Sequence, residues 1–432
     1  MPRSAAVAVR TYLHTAAMPL QRREPRALQP RLRWLTAEIG CMLQAVRGYN
    51  DLILVLNLLH HATTNTNSHL RLQIRSTMGV LVWRQSLVWQ TMLQRRRHSV
   101  TACKFKNWNS CDDEEFREMF RFRKREFMMI MHHLNLLMPD GSPTTLRVGK
   151  PGHKAVVPGD YCLMVCLARL SYPLRYVDLA KRLGGSRTIC CDAFLYMVRS
   201  IDELFGHVVL DIDRWLESAN VLDCCDIMAA ADHRLRHVLG FLDTTFQPCA
   251  RPGGDGCVFD NMDQSDLYSG YKKQHGIKWQ VLVFANGLSC TSRENPGKHS
   301  DAHVLAESNW LPLLQTVSDE LGFDVCVVCD GQYSRGPNIV RRDKRHERDL
   351  PVEMSQLLNQ WRILVENDFA AVHNNWQFLT HKQKIVVGTS PFARIWRVSI
   401  LFHNLQTLSY GNQVTARLGY HLHHMTYATY LA

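Results

Sequence analysis

The 432-residue sequence has no run of about 18 uncharged apolar residues. Its densest apolar stretch, Leu52 to Leu59, is far too short to span a bilayer, so an integral membrane protein is not expected. Met1 opens no charged start, apolar run and small-residue cleavage site of a secretory leader. Lysine is missing from residues 1–100, and acids nearly so: 14 arginines stand against Glu24, Glu38 and Asp51. That segment therefore carries +11 of the chain's +12, and the basic excess is local. It suits an arm that screens phosphates, an accessory helical region, or an Arg-rich, acid-poor targeting segment. Cysteine is sparse, 14 residues in all, and Cys190/Cys191 and Cys224/Cys225 are adjacent, which suits neither ordinary disulfides nor a zinc knuckle. Reduced thiols in an intracellular protein are the expectation. With 46% apolar and 21% charged residues the chain is neither collagenous nor largely disordered. Its length suggests two or three domains.

Residues 1–110 form an Arg-rich N-terminal arm whose fold the pattern does not assign. Acidic Asp112, Asp113, Glu114 and Glu115 suit a helix start, and the apolar spacing of Phe116, Met119, Phe120, Phe127, Ile130 and Leu134 predicts an amphipathic helix over 112–138. Pro139 to Pro143 is a breaker. Within a helical region at 111–210, residues 159–206 read as a triplet. A first helix from Tyr161 to Leu170 is stopped by Pro173. A second from Arg175 to Leu183 ends at Gly184-Gly185, and a third is capped by Ser186. This is the outline of a helix-turn-helix, and equally of a small helical bundle.

After Gly240 the pattern changes. Phe241 to Phe246 and Lys278 to Phe284 are strand-like, Asn286-Gly287 is a tight-turn signal, and Leu288 to Thr291 can return as a partner strand. His303 to Leu314 looks helical, and Val325 to Cys329 is a short buried strand. Ser355 to Leu379 is a long helix, with apolar residues at Leu358, Trp361, Val365, Phe369, Val372, Trp376 and Leu379. The alternation of strands and helices predicts an α/β domain with a mixed sheet over 235–425.

Two apolar runs finish on an acid, Asp243 and Asp330. An acid there is held rigidly at a sheet's edge, where a hard cation can reach it, or simply starts a turn. On the long helix Asn359, Arg362 and Glu366 share a face beside the apolar stripe, so Glu366 is either a third such carboxylate or half of an ordinary Arg362–Glu366 pair. Two strand-end carboxylates and one on a packed helix suit a pair of Mg²⁺ ions in phosphodiester cleavage.

These residues stand in longer matching segments: Gly240-Phe-Leu-Asp243-Thr-Thr-Phe246, Tyr268-Ser-Gly-Tyr-Lys-Lys-Gln-His275-Gly-Ile-Lys278-Trp-Gln280, Pro296-Gly-Lys-His299-Ser-Asp301, Val327-Val-Cys-Asp330-Gly, Asn359-Gln-Trp-Arg362-Ile-Leu-Val-Glu366-Asn-Asp-Phe369 and His403-Asn404. Through them the sequence resembles the PIF/Harbinger transposase group of DDE-superfamily nucleases and its domesticated descendants, over about residues 115–425. The resemblance implies an RNase H-like, mixed-sheet catalytic core preceded by an all-helical helix-turn-helix domain. It implies a metal-binding catalytic triad of Asp243, Asp330 and Glu366, supported by Arg362 and Asn359, with two Mg²⁺ or Mn²⁺ ions. It further implies a nuclear endonuclease or transposase acting on duplex DNA, a Myb-like DNA-binding partner and a homo-oligomer. Thr244, where many of the group carry Gly, and Asp330-Gly-Gln-Tyr333, a variant of Asp-x-Gly-Tyr, depart from its pattern without removing a ligand. A domesticated DNA-binding or scaffold protein that no longer cuts is the alternative. A ribonuclease H-type enzyme acting on RNA–DNA hybrids is a third reading, which a helix-turn-helix disfavours because major-groove reading suits B-form DNA.

Lys272, Lys273, His275 and Lys278, interleaved with Tyr271 and Trp279, offer cations for phosphates and rings for unstacked bases. Trp279 suits the core as well as base stacking. Arg187, opening the third helix of the triplet, is a further candidate DNA contact. The run Arg341 to Arg348 reads first as a solvated mixed-charge loop and second as a DNA contact. Cys326 and Cys329, three apart on a strand, face opposite sides and do not share a metal. His421, His423 and His424 suit a half-exposed tail more than an adventitious metal site. His299, Asp301 and His303 alternate like ligands on a strand but lie at a loop-to-helix junction, where a role near the site is the lesser reading.

Overall fold

A computed structural model describes residues 111–432 except 153, 252–262, 344–346, 348–349, 381–384, 388–389 and 423–424. The described residues all belong to one unit of the chain, Cys103–Ala432. The Arg-rich arm lies outside the described residues, as do His423, His424 and most of the run after Arg342. Among the described residues no helix is long and apolar enough to cross a membrane, and no cysteine is in a disulfide.

The described residues of this unit begin with α1 (Asp113–Phe120) and α2 (Lys124–His133). Asp112 caps α1 by accepting from the Glu115 amide, as its acidic start suggests. The single helix expected over 112–138 is corrected to two, because Arg121 turns left-handed at φ 67. The break lets Phe122 swing away from the Phe116–Phe120–Phe127 cluster and pack against Trp376 and Phe402. A second correction follows. Residues 111–210 are not all helical, since β1 (Thr145–Val148) and β2 (Ala155–Pro158) pair as an antiparallel hairpin. Gly149 and Gly152, both at positive φ, supply its turn, and buried Val148 and Val157 anchor it.

Next come α3 (Gly159–Ser171), α4 (Tyr176–Leu183) and α5 (Arg187–Leu210), close to the expected triplet. Ser186 caps α5 by accepting from the Ile189 amide. The turn is latched from α3, where the Tyr161 hydroxyl donates to the Gly184 carbonyl at 2.8 Å. Gly185 sits at φ +80, and a Cβ there would lie 2.6 Å from that same hydroxyl oxygen. Gly185→Ala is therefore expected to cost about 1–3 kcal/mol from left-handed strain and crowding together. A thermal melt checks it, and an unchanged midpoint contradicts the latch.

After α6 (Ser218–Ala231) the chain enters a mixed sheet: β3 (Val238–Pro248), β4 (Tyr268–Ser269), β5 (Gln274–Phe284), β6 (Ser289–Thr291) and β7 (Asn295–Pro296). Helices α7 (Asp301–Glu307) and α8 (Trp310–Leu321) follow, then β8 (Cys326–Cys329) and β9 (Ile339–Arg341). The helix expected over 303–314 is thus corrected to two, with Asn309 left-handed between them at φ 57. The strand order is β4-β5-β3-β8-β9, with β6 and β7 also paired to β5. β3 runs antiparallel to β5 and parallel to β8, and β8 is parallel to β9. The chain closes with α9 (Val352–Asn375), α10 (Phe392–Tyr410), α11 (Gln413–Leu418) and α12 (Tyr427–Leu431).

This curled mixed sheet with packed helices is compatible with an RNase H-like core. α9 lies against β3, β5 and β8, and α7 meets β5. The apolar stripe foreseen for α9 is buried at Leu358, Trp361, Val365 and Val372. Its last members, Trp376 and Leu379, are buried beyond the helix end, in a following 3-10 turn for Leu379. α10, with no counterpart in the sequence reading, is buried along most of its length and packs on α5. Trp279 belongs to the core: it is fully buried and stacks on Trp396 of α10 at 5.3 Å between ring centroids. Its Nε1 donates to Gln247 Oε1 at 3.0 Å, so base stacking by this ring is ruled out.

Candidate functional site

Gly240, the third residue of β3 and the first paired with β5, is small for a local reason. A Cβ there would overlap the Val283 carbonyl oxygen of β5, so only glycine lets β3 approach its neighbour. The parallel pairing of β3 with β8 ends at Leu242 and Cys329, and the next residues along these two strands are Asp243 and Asp330. β3 itself continues to Pro248 along β5, so Asp243 stands within a strand, at the end of its pairing with β8 and not at the end of β3. Each carboxylate is oriented by the following amide: Thr244 N–H donates to Asp243 Oδ1 at 2.8 Å, and Gly331 N–H to Asp330 Oδ1 at 2.6 Å.

Asp243 is largely withdrawn from water, and its environment is unfavourable for a charge. Burial pushes its carboxyl from 3.8 up to about 6, the Thr244 amide works against that rise, the carboxylates of Asp301 and Asp330 add to it, and Arg362 opposes it. Beneath the two acids Tyr333 is fully buried, and its hydroxyl meets Thr244 Oγ1 at 2.8 Å. Burial raises the Tyr333 phenol well above its usual value, so it stays neutral. Thr244, which departs from the pattern of the resemblance, and Tyr333, which keeps its place in it, thus satisfy one another's hydroxyl groups inside the protein.

Glu366 projects from α9 and remains half exposed. Arg362, one turn earlier, sits between helix and sheet, with Nη2 2.7 Å from Glu366 Oε1 and Nη1 3.9 Å from Asp243 Oδ2. Asn359, a turn before that, accepts from Arg342 Nη1 at 3.4 Å, and Arg342 Nη2 lies 3.8 Å from Asp330 Oδ1. The Asn359–Arg362–Glu366 face predicted from helical spacing therefore looks toward the two strand acids. The solvated-loop reading of the run from Arg341 is corrected where residues are described. Arg341 is buried and forked onto Glu347, and Arg342 belongs to the site.

All three acids offer hard oxygen donors of the kind Mg²⁺ and Mn²⁺ prefer, which fits the ions that the sequence resemblance implies. Among the described residues, however, no three acidic, histidine or cysteine side chains converge closely enough to hold a metal ion. Arginines stand against the acids instead.

The candidate DNA contacts are spread apart. Lys272 and Lys273 are exposed in the turn between β4 and β5, beside Tyr271, whose exposure reaches 90%. His275 pairs in register with Tyr268, and the two rings lie 5.2 Å apart. Lys278 is largely buried and pairs with Asp301 at 2.8 Å, an arrangement that ties β5 to α7. Arg187 is exposed at the first turn of α5.

The sequence reading assigned no role to a buried polar knot behind α9. Asp368 receives the Ser289 hydroxyl at 2.9 Å and meets His403 Nε2 at 2.8 Å. Asn404 bonds both the amide and the carbonyl of Ser289, at 2.9 and 2.8 Å, so its side chain completes the edge of β6 as a neighbouring strand would. Asp368, His403 and Asn404 stand among the matched segments, but nothing in their spacing shows that they converge.

Residues 242–404 match the family model described as DDE superfamily endonuclease, a stretch that takes in Asp243, Asp330 and Glu366. The match does not distinguish the PIF/Harbinger group within that superfamily. No match was found among curated proteins or among solved structures.

Proposed function

Starting from the similarity of residues 242–404 to the DDE superfamily endonucleases, we propose that this chain is a divalent-metal-dependent DNA endonuclease of the PIF/Harbinger transposase type. The observation that carries the reading is that Asp243 and Asp330 directly follow Leu242 and Cys329, the last pair of two parallel strands, with Glu366 tied toward them through Arg362. Asp243, Asp330 and Glu366 would hold the Mg²⁺ or Mn²⁺ ions. Bound there, the ions supply the positive charge that lowers the barrier to phosphodiester hydrolysis.

The protein's own part is positional. The Thr244 and Gly331 amides fix Oδ1 of each strand acid, and the second oxygen of Asp243 faces Arg362. The neutral Tyr333 hydroxyl holds Thr244 from below. The turn bearing Lys272 and Lys273 and the start of α5 at Arg187 are the cationic surfaces that meet duplex DNA, with α4 and α5 acting as a helix-turn-helix. A nuclear location and a Myb-like partner follow from the same reading.

The experiment is cleavage of a labelled duplex in Mn²⁺, with unlabelled duplex or RNA–DNA hybrid as competitor. Cleavage that EDTA stops, and that duplex suppresses more strongly than hybrid, is the expected result. Stronger suppression by hybrid would favour a ribonuclease H-type enzyme, and intact substrate with EDTA-insensitive binding would favour a protein that binds without cutting.

A further inference from the structure

Each of the three acids faces a guanidinium, and the contacts differ from those arginines make elsewhere in the fold. Arg341 grips Glu347 through two hydrogen bonds of 2.6 and 3.0 Å, and Arg397 grips Asp202 through two of 2.6 and 2.8 Å. These are forked, bidentate pairs. At the site, by contrast, Arg362 approaches Asp243 only to 3.9 Å and Arg342 approaches Asp330 only to 3.8 Å. The one close contact is Arg362 with its own helix neighbour Glu366, at 2.7 Å. Arg362 Nε is buried without a hydrogen-bond partner, and Arg342 is 46% exposed. Arg362 is thus an under-satisfied cation and Arg342 one open to solvent, and neither grips its strand acid with fixed geometry.

We propose that Arg342 and Arg362 are resident counter-cations of the triad, competing with divalent metal for the carboxylate oxygens until DNA phosphates draw them away. This inference rests on the reading of Asp243, Asp330 and Glu366 as metal ligands. Guanidinium binds phosphate oxygens at least as well as carboxylates, through the same planar fork. A phosphate arriving at the site offers both arginines better-formed bonds than the 3.8 and 3.9 Å contacts they leave. Asp243 Oδ2 is then freed for metal, and Asp330 loses a competing positive charge. By linkage, DNA tightens metal binding by the same factor that metal tightens DNA binding. An enzyme so built holds metal weakly when idle and loads it on its substrate.

The sign of one substitution separates this from an ordinary structural ion pair. If Arg362 only braced α9, removing it would leave metal affinity unchanged or weaken it. If Arg362 competes, removing it strengthens metal binding.

The test is Mn²⁺ binding by the full chain, read as loss of the free-ion electron paramagnetic resonance signal. The proteins are wild type, Arg362→Gln, Arg342→Gln and Asp243→Asn, each with and without a mixed-sequence duplex oligonucleotide. Without DNA, Arg362→Gln is expected to bind Mn²⁺ about fivefold more tightly than wild type, the scale of a partly exposed ion pair. Adding the duplex tightens wild type more than it tightens Arg362→Gln. Arg342→Gln shifts in the same direction, and it answers the question independently should Arg362→Gln fail to fold. Mn²⁺ binding that depends on Asp243 but is unmoved or weakened by both glutamine substitutions overturns the competition and leaves the ligand reading standing. Mn²⁺ binding no better in wild type than in Asp243→Asn overturns the ligand reading, and the competition falls with it.

Discussion

Alanine at Asp330 is expected to lower Mn²⁺-dependent cleavage of duplex DNA by more than about a hundredfold while leaving DNA binding in EDTA intact. Even outer partners of metal ligands typically cost 10- to 100-fold when removed, so a ligand itself costs at least the upper end. Binding is spared because the proposed contacts, Lys272, Lys273 and Arg187, lie on elements other than β8. The side chain is also safe to remove structurally. Its hydrogen bond runs to the adjacent Gly331 amide, and it is only partly buried. Cleavage rate and equilibrium binding measured on the same preparation check both halves. Full cleavage by Asp330→Ala sinks the assignment of this residue, and equal loss of binding and cleavage shows that the substitution damaged the DNA surface or the fold.

The second large effect is on stability, and it comes from the same architecture. Asp243 carries a carboxyl raised from 3.8 to about 6, chiefly by burial. The folded chain therefore holds a proton there more tightly than the unfolded chain does. That contribution to stability is complete below pH 3.8 and is lost as pH rises through 6. The difference of about two pH units corresponds to up to about 3 kcal/mol. Asp243→Asn, which has no charge to desolvate, keeps that stability at every pH. In EDTA the variant is expected to melt several degrees above wild type at pH 7.5, with the two curves converging near pH 4. Parallel midpoints across the range would show that Asp243 is not held in an unfavourable environment. Such a cost, carried at a carboxylate proposed to act, is the usual trade of stability for function.

Local signals in the sequence carried the elements that hold the site. The Gly184-Gly185 turn and the Ser186 cap were legible because each acts within a few residues. The face bearing Asn359, Arg362 and Glu366 was legible because helical periodicity alone sets it. What was not legible depends on residues far apart in the chain. Arg342 could not be assigned to Asp330 without knowing that β8 and β9 are parallel neighbours. The breaks at Arg121 and Asn309 involve neither proline nor glycine, and they follow from where Phe122 and Trp310 are buried. α10 escaped notice because a buried helix shows no apolar–polar alternation. Trp279 was ambiguous in sequence because a Trp among lysines suits either a core or a base, and only its stack on Trp396 decides.

The central claim is that Asp243, Asp330 and Glu366 make a metal-dependent nuclease. The most direct measurement is relaxation of supercoiled plasmid in Mn²⁺ by wild type beside Asp243→Ala/Glu366→Ala prepared identically. The account predicts open-circular product from wild type that EDTA abolishes, and none from the double variant. Nicking that persists in the double variant would contradict it, by placing the activity on other residues.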